Sequence, residues 1–319
     1  MSSRSSQAGK ALEKPAAGPA RRKDRFQREL PLYLMLIPAV VLVAIYSYGG
    51  MVGTVIAFQK FNPANGLFGS EWVGLKNFQN LFSMPNFWPV IRNTIVISLA
   101  KMVGNIIVPV TFSLLLNEVR KSGLKRTYQT MVYLPNFLSW IILSGIFVDI
   151  LSPSSGIVGR LFTALGGKAP FFLGDSFWFP ITMVVTDVWK NFGFKSVIYL
   201  AALTGVDPAL YESASIDGAG RWRQTWHITL PGILSTIVLM TVLSMADILN
   251  GGFDQIYNLY SPAVYSTGDI LDTFVYRLGI ERTQFALSTA AGLFKSGVSL
   301  VFITASYWMA DRFAGYRIF

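Results

Sequence analysis

The sequence predicts an all-α polytopic membrane protein, with six transmembrane helices and one short helical loop on the cytoplasmic side. Three observations carry that expectation. Only 14% of the 319 residues are charged while 52% are hydrophobic, against roughly a quarter charged in soluble domains. Six apolar runs are each long enough for a hydrocarbon layer about 30 Å thick, which takes about 20 helical residues to cross. A polar segment, residues 207–231, separates the fourth run from the fifth and carries helix signals of its own.

In chain order, residues 1–29 are rich in Ser, Ala and Pro, and Arg21, Arg22, Lys23, Arg25 and Arg28 crowd the first apolar run. This composition reads as a disordered basic tail lying against anionic lipid. The six-helix membrane domain is expected to fill residues 30–319. Its first span, about 32–58, is too long for the apolar region of a signal peptide, about 7–15 residues, and is read as retained. The remaining spans are expected at about 90–116, 130–151, 179–203, 231–249 and 286–309. Pro231 suits the first turn of the fifth, where its missing N–H costs nothing. Continuous apolar runs favour helices over a barrel, whose strands would alternate.

Lysine and arginine collect in cytoplasmic loops. Of the 27, 16 fall in the N-terminal tail, the 117–127 and 205–231 loops and the C-terminal end, and six fall in the opposite loops. Both ends and the 207–231 segment are therefore expected to be cytoplasmic. The formal charge of +10 sits at span ends, which argues against a nucleic-acid partner. The chain has no Cys and a single His, His227, so thiolate and His-rich metal sites are excluded and no metal is expected. No nucleophile, base and orienting group stand together, so the chain is not expected to be an enzyme. The outer loops carry aromatic residues, as in Phe68 to Phe78, which suit a membrane boundary or a docking face for an extracytoplasmic partner.

The polar segment opens with Asp207 as an N-cap and Pro208 at the first helical position. A helix can run from Ala209 to Ile216, with Leu210 and Ala214 on one face. Gly218 and Gly220 are stop-and-turn residues, and a second short helix fits Arg221 to Ile228, with Trp222 and Trp226 four apart. Such a loop could be an interfacial anchor. The pattern Glu212-Ser213-Ala214, Gly218 and then Ile228-Thr229-Leu230-Pro231 resembles instead the cytoplasmic coupling motif of binding-protein-dependent ABC importer permeases. Ser213 stands where that motif has alanine. The runs Trp72 to Phe78, Tyr133 to Trp140 and Gly252 to Tyr260 resemble the sugar-importer branch, of the maltose-importer type, and within it permeases for complex or acidic oligosaccharides such as alginate or pectin fragments.

The resemblance implies a permease subunit in a bacterial inner membrane, working with a second homologous permease, two ATP-binding ATPase subunits and an extracytoplasmic sugar-binding protein. Neither Gly-Lys pair, Gly9-Lys10 nor Gly167-Lys168, has the flanking residues of a phosphate-binding loop, so ATP and Mg would be used by the partner subunits and no cofactor is bound by this chain. The ATPase-coupling residues implied are Glu212, Ser213, Ala214, Asp217, Gly218, Arg221, Leu230 and Pro231.

Polar groups inside spans are candidate pathway residues, and here they include Asn93, Lys101, Asn105, Asn136, Asp187, Lys190, Asn191, Lys195, Asp247, Asn250 and Lys295. Asp187 and Lys190, three apart, could form a local helical ion pair, and Lys101 and Lys195 could snorkel. A sugar needs amides and carboxylates for its hydroxyls and aromatic faces for its rings. Asn136, Trp140, Trp189, Lys190, Asn191, Asp247, Asn250, Asp254, Gln255 and Tyr257 are the expected set. The fifth span is expected to break at Gly251-Gly252, where freed backbone groups must be buried or line a watery cavity. A self-contained secondary transporter or channel, or a non-transporting scaffold, would also fit six spans, but an ion-driven carrier has no need of the cytoplasmic helical elbow.

Overall fold

The computed structural model describes residues 19–314, which form two compact units, 19–54 and 55–314 within those bounds. The first unit is helix α1 (Pro19–Val43), continued by a π-helical turn, Ala44–Tyr48, and a helical segment, Gly49–Val52. The tail expected to be disordered to residue 29 is thus helical from Pro19 on, and its earlier part lies outside the described residues. Residues Glu29–Phe58 form an apolar stretch of 30 residues. Its side chains over residues 30–52, among them Met35, Tyr46 and Met51, are exposed, as expected for a helix whose solvent is lipid.

The second unit starts with an antiparallel two-stranded ribbon, β1 (Gln59–Lys60) and β2 (Glu71–Trp72), in the register Gln59 to Trp72. The Asn77 amide closes it, donating to the carbonyls of Ala57 and Gln59, each at 2.9 Å. Helix α2 (Phe87–Asn117) is the longest element, 31 residues, and α3 (Ser122–Tyr133), α4 (Trp140–Leu151) and α5 (Trp178–Leu203) follow. Then come α6 (Pro208–Ile216), α7 (Arg221–Gln224), α8 (Leu234–Ala246), α9 (Phe253–Leu259) and α10 (Phe285–Ala314).

Helices α2 and α5 form the central pair. Their contact is polar as well as apolar: Ser113 Oγ donates to the Ser196 carbonyl at 3.1 Å and Asn105 Nδ2 to Asp187 Oδ2 at 2.8 Å. Three apolar clusters lie along α2, the second and third of them shared with α5. One gathers Phe87, Val90, Leu271, Phe274 and Ala291, the next Ile97, Phe179, Met183, Ile256 and Ile270, and the last Val110, Leu116, Tyr199, Leu203 and Ile233. The 265–277 segment is sewn to α2 by Asn93, which donates to the carbonyls of Ser266 and Asp269, and by the Leu271 N–H, which donates to Thr94 Oγ. Arg277 pairs with buried Asp269 and lies 4.4 Å from the centre of the Tyr265 ring.

Among the described residues, three helices are long and apolar enough to cross a membrane, or five if each of two bent pairs counts as one span. The fourth expected span, α5, is one continuous helix of 26 residues, but it carries Asp187, Lys190 and Lys195. Two expectations need correction. The third span is not a single helix: Ser122–Phe137 and Trp140–Leu151 meet at 103°. Pro135 sits in a 3₁₀ turn, Leu134–Phe137, and Ser139 restarts the chain as an N-cap, its Oγ accepting from the Ile142 N–H. The fifth span does not start cleanly at Pro231. The helical segment Arg221–Gly232 runs through that proline and bends by 56° into Leu234–Met245.

Candidate coupling elbow and polar chamber

The elbow forms from local signals. Asp207 caps α6, its Oδ1 accepting from the Ala209 N–H at 2.9 Å. The chain reverses at Gly218, whose φ of +75° is the left-handed region in which a Cβ is penalised. Gln224 of α7 then reaches back, donating to Ser215 Oγ at 2.9 Å and to the Ala219 carbonyl at 3.1 Å. The Tyr211 and Thr229 hydroxyls are 3.0 Å apart. The second helix is shorter than expected, ending at Gln224 and passing into a π-helical turn, Thr225–Thr229.

The elbow is braced inside and open outside. No residue of α6 is buried; Glu212, Ser213, Asp217 and Gly218 are exposed and Ala214 is half-buried. Ile216 is 87% exposed and Leu210 50%. The elbow is anchored underneath by Leu230 and Val206, packed on the cluster around Tyr199 and Ile233, while Pro231 is exposed. Arg221 pairs with Glu118 at the end of α2. An apolar groove of about 680 Å³ runs between α2 and α7, with Ile107, Leu114, Trp222 and Trp226 on its walls.

At the other end of α8 the chain breaks as expected. Helix α8 ends at Ala246 and α9 starts at Phe253, with Gly252 at φ +88° as its N-cap. A polar chamber of about 180 Å³ opens there, lined by Lys101 and Asn105 of α2, Asp187 and Lys195 of α5, and Asp247 and Asn250 of the break. Asn250 Nδ2 donates to Asp247 Oδ1 at 2.8 Å. Two buried atoms of its wall, Ser98 Oγ and Asn105 Oδ1, have no hydrogen-bond partner among the described residues, and a buried polar group without a partner favours a hydrated or ligand-bearing space.

The expected pathway residues do not form one set. Asp247 and Asn250 line the chamber, but Gln255 is fully buried and structural, its Nε2 donating to the Met183 carbonyl at 2.8 Å and to Thr186 Oγ1 at 2.7 Å. Lys190 is committed as well, donating to the carbonyls of Asn136 at 3.1 Å and Leu138 at 2.8 Å, and its Nζ lies 5.5 Å from the centre of the Trp140 ring. Asp187 is bonded to Asn105 and lies 3.9 Å from Lys101. Asn136 and Asn191 bond each other at 3.1 Å. Trp189 meets Phe147 edge-on in a separate apolar groove. Asp254 is exposed, and Tyr257 stacks on Phe253 and meets Tyr276 edge-on. Ser98 and Ser244 of the chamber escaped the sequence reading, since a lone serine in an apolar helix gives no signal.

Residues 105–315, which include the elbow and most of the chamber wall, match the family model described as binding-protein-dependent transport system inner membrane component. This chain belongs to that family. The permease is 41% identical over 282 residues to the polygalacturonan/rhamnogalacturonan transport system permease protein YteP of Bacillus subtilis, covering 88% of each chain. It is 40% identical over 287 residues to protein LplB of the same organism, covering 90% of each. Among solved structures it matches a chain of a bacterial ABC transporter involved in the import of the acidic polysaccharide alginate, with a TM-score of 0.84 and 36% identity over 92% of this chain and 99% of that one. The same values for TM-score and identity hold for that transporter in complex with an alginate pentasaccharide-bound periplasmic protein.

Proposed function

We propose that this permease subunit forms half of the translocation path of an ATP-driven importer for oligosaccharides, acidic ones included, and that it crosses the membrane six times with both ends cytoplasmic. The observation that carries the reading is the elbow: a helix with no buried residue, locked to its neighbour by Gln224 and Tyr211, and tied to α2 through Arg221 and Glu118. A surface so exposed and yet so internally braced suits a partner that pushes on it. ATPase subunits in trans would seat α6 in a groove, and their closure on ATP would move the elbow as a unit, since a ligand shifts a conformational equilibrium only through contacts that differ between its states.

The chamber beside the helix break supplies carboxylate, amide and ammonium groups of the kinds that bind sugar hydroxyls and uronate carboxylates. A second homologous permease would complete the path, and an extracytoplasmic binding protein would deliver the sugar. The polygalacturonan and alginate relatives support an acidic polymer fragment as the substrate class. Glu212→Ala in the reconstituted complex tests the coupling. Loss of sugar uptake with ATP hydrolysis retained is expected, whereas full uptake would remove Glu212 from the coupling contact.

A further inference from the structure

Lys101 stands out in the chamber because its hydrogen bonds run to the helix break and to the helix that follows it. It is 7% exposed, on the middle of α2. An ammonium has three protons to donate. One goes to the Gly251 carbonyl at 2.8 Å and one to Gln255 Oε1, and Asp187 Oδ1 forms an ion pair with it at 3.9 Å. Gly251 lies in the break between α8 and α9 and Gln255 in the first turn of α9, both about 150 residues away in sequence. Backbone freed by a helix break inside a membrane must find partners in the protein, and Lys101 is the partner of the Gly251 carbonyl. The fit is close: a Cβ at Gly252 would lie 2.8 Å from Nζ. Gln255, held at its other end by Met183 and Thr186 of α5, joins the same connection to α5.

We propose that Lys101 is a positioning residue, an internal strut that fixes the helix break and through it the placement of Asp247 and Asn250. Two of its three protons are spent on the protein and Asp187 faces its charge, so its first duty is to hold the break rather than to meet substrate. The strut also joins the two ends of the molecule. The helix that holds Gly251 through Lys101 meets the elbow through Glu118 at its C-cap, 17 residues and about 26 Å further along, with Pro109 between them. Movement of the elbow therefore has a continuous element through which to reach the break. The role in transport rests on the reading of Asp247 and Asn250 as pathway residues; the strut itself does not.

The chain has no cysteine, so spin labels can be placed on exposed positions alone. With Asn258→Cys on α9 and Phe177→Cys before α5 in the assembled importer, the label distance is expected to be narrow with Lys101 present and broad in Lys101→Met. Lys101→Gln, which keeps a donor but not the charge, is expected to lie between them and serves if the methionine variant does not assemble. An unchanged distribution in the variants would overturn the strut. Uptake of galacturonate oligomers is read in parallel, and Lys101→Met is expected to raise the concentration for half-maximal uptake about tenfold, the scale of one unsatisfied buried group, with maximal ATP hydrolysis less affected. A broadened distance with unchanged uptake would keep the strut and remove Asp247 and Asn250 from the pathway.

Discussion

At the scale of single residues, the ionisable groups of the spans divide by whether the protein already uses them. Lys190 donates to two backbone carbonyls in the turn before α4, and that is where the chain bends by 103°. Its first duty is to hold the bend. Lys190→Met is therefore expected to lower thermal stability, by about 3 kcal/mol for two bonds made by a charged donor, measured as the melting temperature of the detergent-solubilised complex. The preference for charged over neutral oligosaccharides is expected to be unchanged, and a changed preference at unaltered stability would return Lys190 to the substrate path. Lys195 differs: it lines the chamber and makes no hydrogen bond to the chain among the described residues. What a sequence shows of such residues is their presence in an apolar run. It does not show whether Lys101 reaches Gly251 or snorkels, because that contact joins positions 150 apart.

At the scale of elements, the elbow was legible and the bent spans were not. Asp207, Pro208 and Gly218 act through their own backbone neighbours, so their roles can be read without tertiary context, and the cap at Ala209 and the turn at φ +75° follow. The break at Gly251-Gly252 was equally readable, since paired glycines interrupt an apolar helix for local reasons. By contrast, hydropathy counts apolar residues and is blind to direction. Residues 130–151 are mostly apolar whether the helix runs straight or turns at Leu138, and the turn receives two hydrogen bonds from Lys190 of another helix. For the elbow itself, Gly218→Ala places a Cβ in the left-handed region at a cost of about 1–2 kcal/mol. Faster amide hydrogen exchange across 208–224, with exchange in α2 and α5 unchanged, is the expected result. Uniform exchange would mean that the elbow is not the separate braced unit described above.

At the scale of the whole molecule, polar contacts are spaced along α2. They start at the Asn93 and Thr94 bonds to the 265–277 segment, pass the Lys101 and Asn105 cluster, and end at Glu118 and Arg221 beneath the elbow. Such a helix can carry displacement from one face of the membrane domain to the break beside the chamber, which is what alternating access by an externally powered subunit requires. The sequence carries no G-x-x-x-x-G-K-S/T motif, and the proposed importer takes its power from partner ATPase subunits. The most direct measurement is uptake of labelled galacturonate oligomers into liposomes containing either this permease alone or the full complex with ATPase subunits, second permease and binding protein. Uptake only in the full complex and only with ATP is the predicted result. Uptake by this chain alone without ATP would contradict the account and make it a self-contained carrier.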